Sequence, residues 1–238
     1  MLPNSNQSKQ PAWISATTVD SSEREGAFFR SVYSWMCGGL LLTAFAAMWV
    51  TTSAAMQQIV IANPIIFIVL CVAEIGIVFY ASAALPRLTP AAAASLFLVY
   101  SLLTGLTLSV LLFLYTAASV VQAFAVTAGM FGAVSVYGRV TKRDLTSWGA
   151  FLFMGVIGLL LAMVVNLFVH SKPLDLAIST IAVFVFTGLA AYKTQALKAW
   201  AQTGGPQGET LAIFGALSLY ITFINLFLHI LRLFGRRR

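Results

Sequence analysis

Charge is scarce in this sequence. Of 238 residues, 14 are Lys or Arg and seven are Asp or Glu, 9% together, where a soluble domain carries roughly 25%. That deficit excludes a soluble globular enzyme and a disordered chain as first readings. Nucleic acid is excluded as a partner too, although the net charge is +7. The basic residues sit at the edges of apolar runs, which is the pattern of membrane topology and not of a phosphate-reading patch. Histidine is nearly absent, with two in the chain. No His-Glu-x-x-His pair, Gly-x-Ser-x-Gly elbow or phosphate-cradling Gly-Lys loop occurs, so nothing points to an enzyme or a cofactor. The two cysteines, Cys37 and Cys71, lie inside apolar runs and read as small packing residues.

What is abundant is apolar sequence: 60% of residues are hydrophobic and the mean hydropathy is +0.91. A membrane span takes about 20 mostly apolar residues at about 1.5 Å each. Seven segments meet this, near 31–52, 64–85, 91–115, 119–138, 148–169, 174–192 and 211–234. The runs are continuous and do not alternate, which argues against a β-barrel. Pro64 and Pro173 open two of them, where a missing N–H does no harm; no proline falls inside one. The expected organisation is a polar tail over 1–30, partly disordered, a seven-helix domain over 31–234, and a basic end over 235–238. Within the tail, Ser22 and Glu25 have capping-box spacing and could start the first helix. Trp13, Phe28, Phe29 and Trp35 are placed at the membrane interface.

Lys and Arg in short loops set the orientation. Lys9, Arg24 and Arg30 lie in the tail, Arg87 in the second loop, Arg139, Lys142 and Arg143 in the fourth, and Lys193 and Lys198 in the sixth; the opposite side has Lys172 alone in its loops. This places the N-terminus in the cytoplasm of a multi-pass membrane protein. Arg232, Arg236, Arg237 and Arg238 then lie on the far side after seven crossings, or the last segment re-enters without crossing. Ser101, Gly105 and Ser109, and separately Ala128 and Gly132, form small-residue ladders suited to close helix packing.

Few polar groups remain to be explained inside the spans. Glu74 lies ten residues after Pro64, near the midplane, where an acidic side chain costs roughly 2.5–3.5 kcal/mol. It should therefore face the bundle interior, either as a proton or cation site or as a neutral, hydrogen-bonded carboxyl. His229 lies in the last span, with Arg232 one turn on and able to snorkel. Asn166 and Asn225 are expected to bond between helices.

Five stretches carry a resemblance: Val32–Met36 leading into Gly39–Ala44, Tyr100–Ser109, Thr141–Leu145, Phe186–Tyr192 followed by Lys193-Thr194-Gln195, and Ala216–Tyr220 followed by Phe223–Phe227. Together they resemble the bacterial branch of the Bax inhibitor-1 family, the transmembrane Bax inhibitor motif proteins. The resemblance runs from about residue 28 to the last span. It implies an all-α seven-helix bundle in the bacterial inner membrane, with the last helix central and six packed around it. It implies a pH-sensitive calcium leak in which two aspartates on the last two helices share a proton and pair with an arginine. It also implies, for some members, a partnership with a membrane-bound AAA protease.

The sequence departs from that pattern at the chemistry. The family's Tyr-Asp-Thr-Gln reads Tyr192-Lys193-Thr194-Gln195, and its Leu-Asp-Phe-Ile-Asn reads Ile221-Thr222-Phe223-Ile224-Asn225. Close carboxylates share a proton because like charges split their titrations; Lys193 and Thr222 cannot. Arg87 stands near the place of the gating arginine, and Glu74 matches the family's acid on the second helix. Lys193 is expected to turn toward the cytoplasmic interface, away from Arg87. Two readings follow. One is a leak for calcium, protons or another cation with an altered gate, using Glu74, Arg87 and His229 as ion or proton sites. The other is a non-conducting membrane interaction protein of stress regulation, such as a modulator or substrate of the protease.

Overall fold

The computed structural model describes residues 12–203 and 208–237, with side chains described from residue 22 onward except at Pro86 and Thr203. Residues 1–11, 204–207 and Arg238 lie outside the described residues. Eight α-helices follow in order: α1 Ala12–Thr52, α2 Ala54–Val60, α3 Pro64–Ala84, α4 Pro90–Leu114, α5 Ala117–Val140, α6 Thr146–Val169, α7 Lys172–Thr203 and α8 Gly208–Phe234, with a short 3-10 helix, Leu85–Arg87, before α4. All but α2 are long and apolar enough to cross a membrane. The protein is an all-α polytopic membrane protein.

The helix starts are written locally. The Asn63 side chain accepts from the N–H groups of Ile65 and Ile66 at the start of α3, Thr89 does so for Ala92 of α4, and Thr116 for Ser119 of α5. Each satisfies backbone donors that a helix start leaves open. The first helix does not begin at Ser22. It runs unbroken from Ala12, because no proline interrupts residues 12 to 52 and nothing else stops it.

The last helix is the core. Buried residues of α8 run from Thr210 to Leu231 on every face, Tyr220 and Leu226 among them. It packs against α1, α4, α5 and α7. The expectation of six surrounding helices is corrected: α3 leans chiefly on α4, and α6 on α7. α3 and α6 therefore take the lipid-facing rim, with Phe79 and Phe168 exposed.

Lipid tails are as apolar as leucine, so helices here associate by close packing instead of escape from water. The Ser101–Gly105–Ser109 ladder is buried, and Gly105 lies directly on the backbone of Thr43 and on Ala46 of α1. Gly138 of α5 similarly meets the carbonyl of Ala191 on α7. The Ala128–Gly132 ladder, by contrast, is exposed, and nothing lies within 4 Å of a side chain built at Gly132. Phe29 is buried and stacks beside Tyr33, and the half-buried Trp35 packs edge-on to Phe97. Asn166 and Asn225 bond within their own neighbourhoods: Asn166 accepts from Ser171 just past α6, and Asn225 donates to the Ile221 carbonyl. Short amide side chains close on the nearest carbonyl or N–H before they reach another helix.

The chain crosses fully at its last span. Tyr115, between α4 and α5, forms an antiparallel bridge with Arg237 beyond α8. The end of α8 therefore shares a face with the α4–α5 turn, opposite the α5–α6 turn, and re-entry is excluded.

Candidate functional site

The motif Tyr192–Gln195 sits on α7 and reaches four different neighbours. Tyr192 lies over Gly149 of α6. Thr194 is buried and bonds to the Ala190 carbonyl and to Ser135 of α5. Gln195 accepts from the Leu145 N–H at 2.8 Å and donates to the Arg143 carbonyl at 2.8 Å, pinning the α5–α6 turn. Just outside the bundle in that turn, Asp144 caps Thr146, whose hydroxyl and N–H hold its carboxyl below the usual range.

Lys193 faces the core. Its Nζ donates to Thr222 Oγ1 at 2.9 Å and to the Ser218 carbonyl at 3.2 Å, and the Thr222 hydroxyl donates to that same carbonyl at 2.9 Å. The expected turn toward the interface is corrected. An α8 carbonyl and hydroxyl lie within reach of a four-carbon stem, and these donors and acceptors outcompete snorkelling. The two positions that depart from the acid-pair pattern thus bond to each other. Among the described residues no carboxylate pairs with Lys193. Arg87 is exposed on the 3-10 helix and makes no ion pair among the described residues, so it does not join this junction.

Glu74 has the partner that its depth demands. Thr107 Oγ1 of α4 donates to its carboxylate at 2.8 Å. It also lies within electrostatic reach of the buried Tyr100 and Tyr220 hydroxyls. Tyr220 of α8 makes a short hydrogen bond with Thr43 of α1, whose hydroxyl also lies at 2.9 Å from the Ser101 carbonyl. Two polar contacts thus lie inside the bundle, Glu74–Thr107 between α3 and α4 and Tyr220–Thr43–Ser101 between α8, α1 and α4, the second beside the edge-on rings of Phe97 and Tyr100.

His229 occupies a third place. It is buried, stacks on Phe186 of α7 with ring centroids 5.9 Å apart, and leaves Nδ1 without a partner among the described residues. One turn beyond it, Arg232 pairs with Asp175 at 3.2 Å. Glu74, Arg87 and His229 are therefore three separate locations, and no shared ion cage forms from them. Thr107, Tyr220 and Gln195 lie inside the stretches that carry the resemblance, but their bonds were not legible there, because the partners lie on other helices or, for Gln195, in the α5–α6 turn.

Comparison with known proteins gives this arrangement its setting. The family profile described as "Inhibitor of apoptosis-promoting Bax1" matches residues 25–238. The chain belongs to the Bax inhibitor-1 family. Within its range of relatives, the chain is 47% identical over 219 residues to the inner membrane protein YbhL of Escherichia coli strain K12, covering 89% of this chain and 92% of that one. An uncharacterized protein of Deinococcus radiodurans is 45% identical over 228 residues, covering 94% and 96%. An uncharacterized membrane protein of Streptococcus pyogenes serotype M1 is 39% identical over 212 residues, covering 88% and 92%. For a Bax inhibitor-1 protein, the resemblance noted above expects carboxylates at positions 193 and 222. Here an ammonium and a hydroxyl occupy those positions and bond to each other.

Proposed function

We propose that this protein is a closed derivative of the family's cation leak, resident in the bacterial inner membrane with its N-terminus in the cytoplasm, and that it acts through contacts with membrane partners and neither conducts nor catalyses. A membrane-bound AAA protease complex is the partner class the family suggests, and stress regulation the setting. The observation that carries the reading is the Lys193 ammonium held on Thr222 and Ser218 between α7 and α8. A divalent ion about 4 Å from that ammonium would be repelled by about 8 kcal/mol at an effective dielectric near 20, twice the unit-charge value. That is about a millionfold in occupancy. One of the two Thr222 lone pairs that could greet a cation is already taken by Lys193.

A second reading has its own support. Glu74 is bonded by Thr107 alone among the described residues, leaving one carboxylate oxygen open to a proton or cation. Proteoliposomes holding a calcium indicator separate the two. With a closed protein, calcium entry between about pH 6 and 8, the range a raised carboxyl can reach, equals that of protein-free vesicles. Entry above that background, lost in Glu74→Gln, would instead assign the protein a Glu74-based leak.

A further inference from the structure

The face of the bundle that carries the end of α8 is unbalanced in charge. Its charged residues among those described are Lys172, Arg232, Arg236 and Arg237 against Asp175, a net +3 from four cations and one anion. Residues 52–63 and 115–116, which share that face, bring no charge. The one acid is already engaged by Arg232. Arg236 and Arg237 remain, and they are exposed.

These two arginines are not on a loose end. The Thr116 N–H donates to the Arg236 carbonyl at 3.1 Å, and the Arg236 N–H donates to Ser119 Oγ at 3.0 Å. Ser119 Oγ in turn accepts from Thr116 Oγ1 at 2.9 Å. Arg237 is bridged to Tyr115, and its guanidinium lies over the Tyr115 ring, 5.8 Å from the centroid. The backbone of Arg236 is thus fixed to the start of α5 and that of Arg237 to Tyr115 at the end of α4, while the Arg236 side chain has no protein partner among the described residues.

Their depth matters. At about 1.5 Å per residue, α8 is about 40 Å long, more than the roughly 30 Å hydrocarbon layer, so residues just beyond it lie at headgroup level. Below them the surface is greasy: Phe234 is 76% exposed and Leu114 50%. A guanidinium fork at the polar boundary above open apolar surface suits a molecule with a phosphate at one end and acyl chains at the other.

We propose that Arg236 and Arg237, held by Tyr115, Thr116 and Ser119, form a binding site for the phosphodiester headgroup of an anionic phospholipid, with the acyl chains lying along Phe234 and Leu114. The site is distinct from the Lys193 junction and does not depend on whether the protein conducts. Pinning the backbone beforehand reduces the ordering cost of binding.

The test uses the purified full chain in detergent, titrated with phosphatidylglycerol or phosphatidylcholine and read by native mass spectrometry. Phosphatidylglycerol is expected to bind more tightly. Arg236→Gln with Arg237→Gln should weaken it by about 25-fold, at about fivefold per arginine near an anionic surface, and leave phosphatidylcholine unchanged. The paired Lys substitutions should recover most of the binding, and Arg30→Gln with Lys142→Gln, on the opposite face, should change nothing. The Gln pair keeps every backbone bond of the clasp, and an unaltered unfolding temperature checks this. Equal affinity for the two lipids, an unchanged Gln pair, or Lys variants no better than Gln would overturn the proposal. So would displacement of the lipid by equimolar glycerol phosphate, which would indicate a free-phosphate site.

Discussion

Replacing Thr222 with valine is expected to destabilise the folded protein by about 1–3 kcal/mol, because the Lys193 ammonium then keeps only one acceptor. Valine matches threonine in shape, so packing is not the cause. In a Lys193→Met background the same change should cost much less, since no charge is left unmet. Lys193→Met alone should be neutral or stabilising, as replacements of enclosed charges by apolar side chains often are. Unfolding measured for the four proteins of this cycle isolates the pair. An additive cycle would mean that the Lys193–Thr222 contact contributes nothing.

Gly138→Leu is expected to be more damaging, at about 3 kcal/mol or more, with loss of folded protein on purification. A side chain there is driven into the Ala191 carbonyl, and backbone cannot change rotamer to make room. Gly132→Leu is the control on the same helix, where space is open; it should fold normally. The pair separates a packing requirement from a general intolerance of α5 to leucine. Equal yields of both variants would show that α5 and α7 are not held at this distance.

How much of this was legible beforehand follows from what one-dimensional patterns encode. Each span could be read from its apolar run, and the start of α3 from Pro64, because helices and their first turns are local. The central place of α8 came from the resemblance, and its neighbours only from the structure. Which helices meet depends on interhelical register, and the continuous apolar runs of α3 and α6 look the same as those of buried helices. The depth of Glu74 could be counted from Pro64, but its partner Thr107 is 33 residues away on another helix. Lys193 was misplaced for a related reason. Its stem length permits either snorkelling or an inward bond, and the choice rests on Ser218 and Thr222, 25 and 29 residues distant. Ala128 and Gly132 show the converse: a packing ladder in sequence that meets no helix of its own chain.

The central claim is that Lys193 and Thr222 replace a titrating carboxylate pair and shut the α7–α8 junction. Calcium flux in proteoliposomes, compared between the unmodified protein and Lys193→Asp combined with Thr222→Asp, tests it most directly. The unmodified protein should show flux at background with no dependence on pH. The double variant should gain flux that changes between about pH 6 and 8, where a close carboxylate pair can share a proton. Strong pH-gated calcium flux in the unmodified protein would contradict the account and move the switch to another group, Glu74 first.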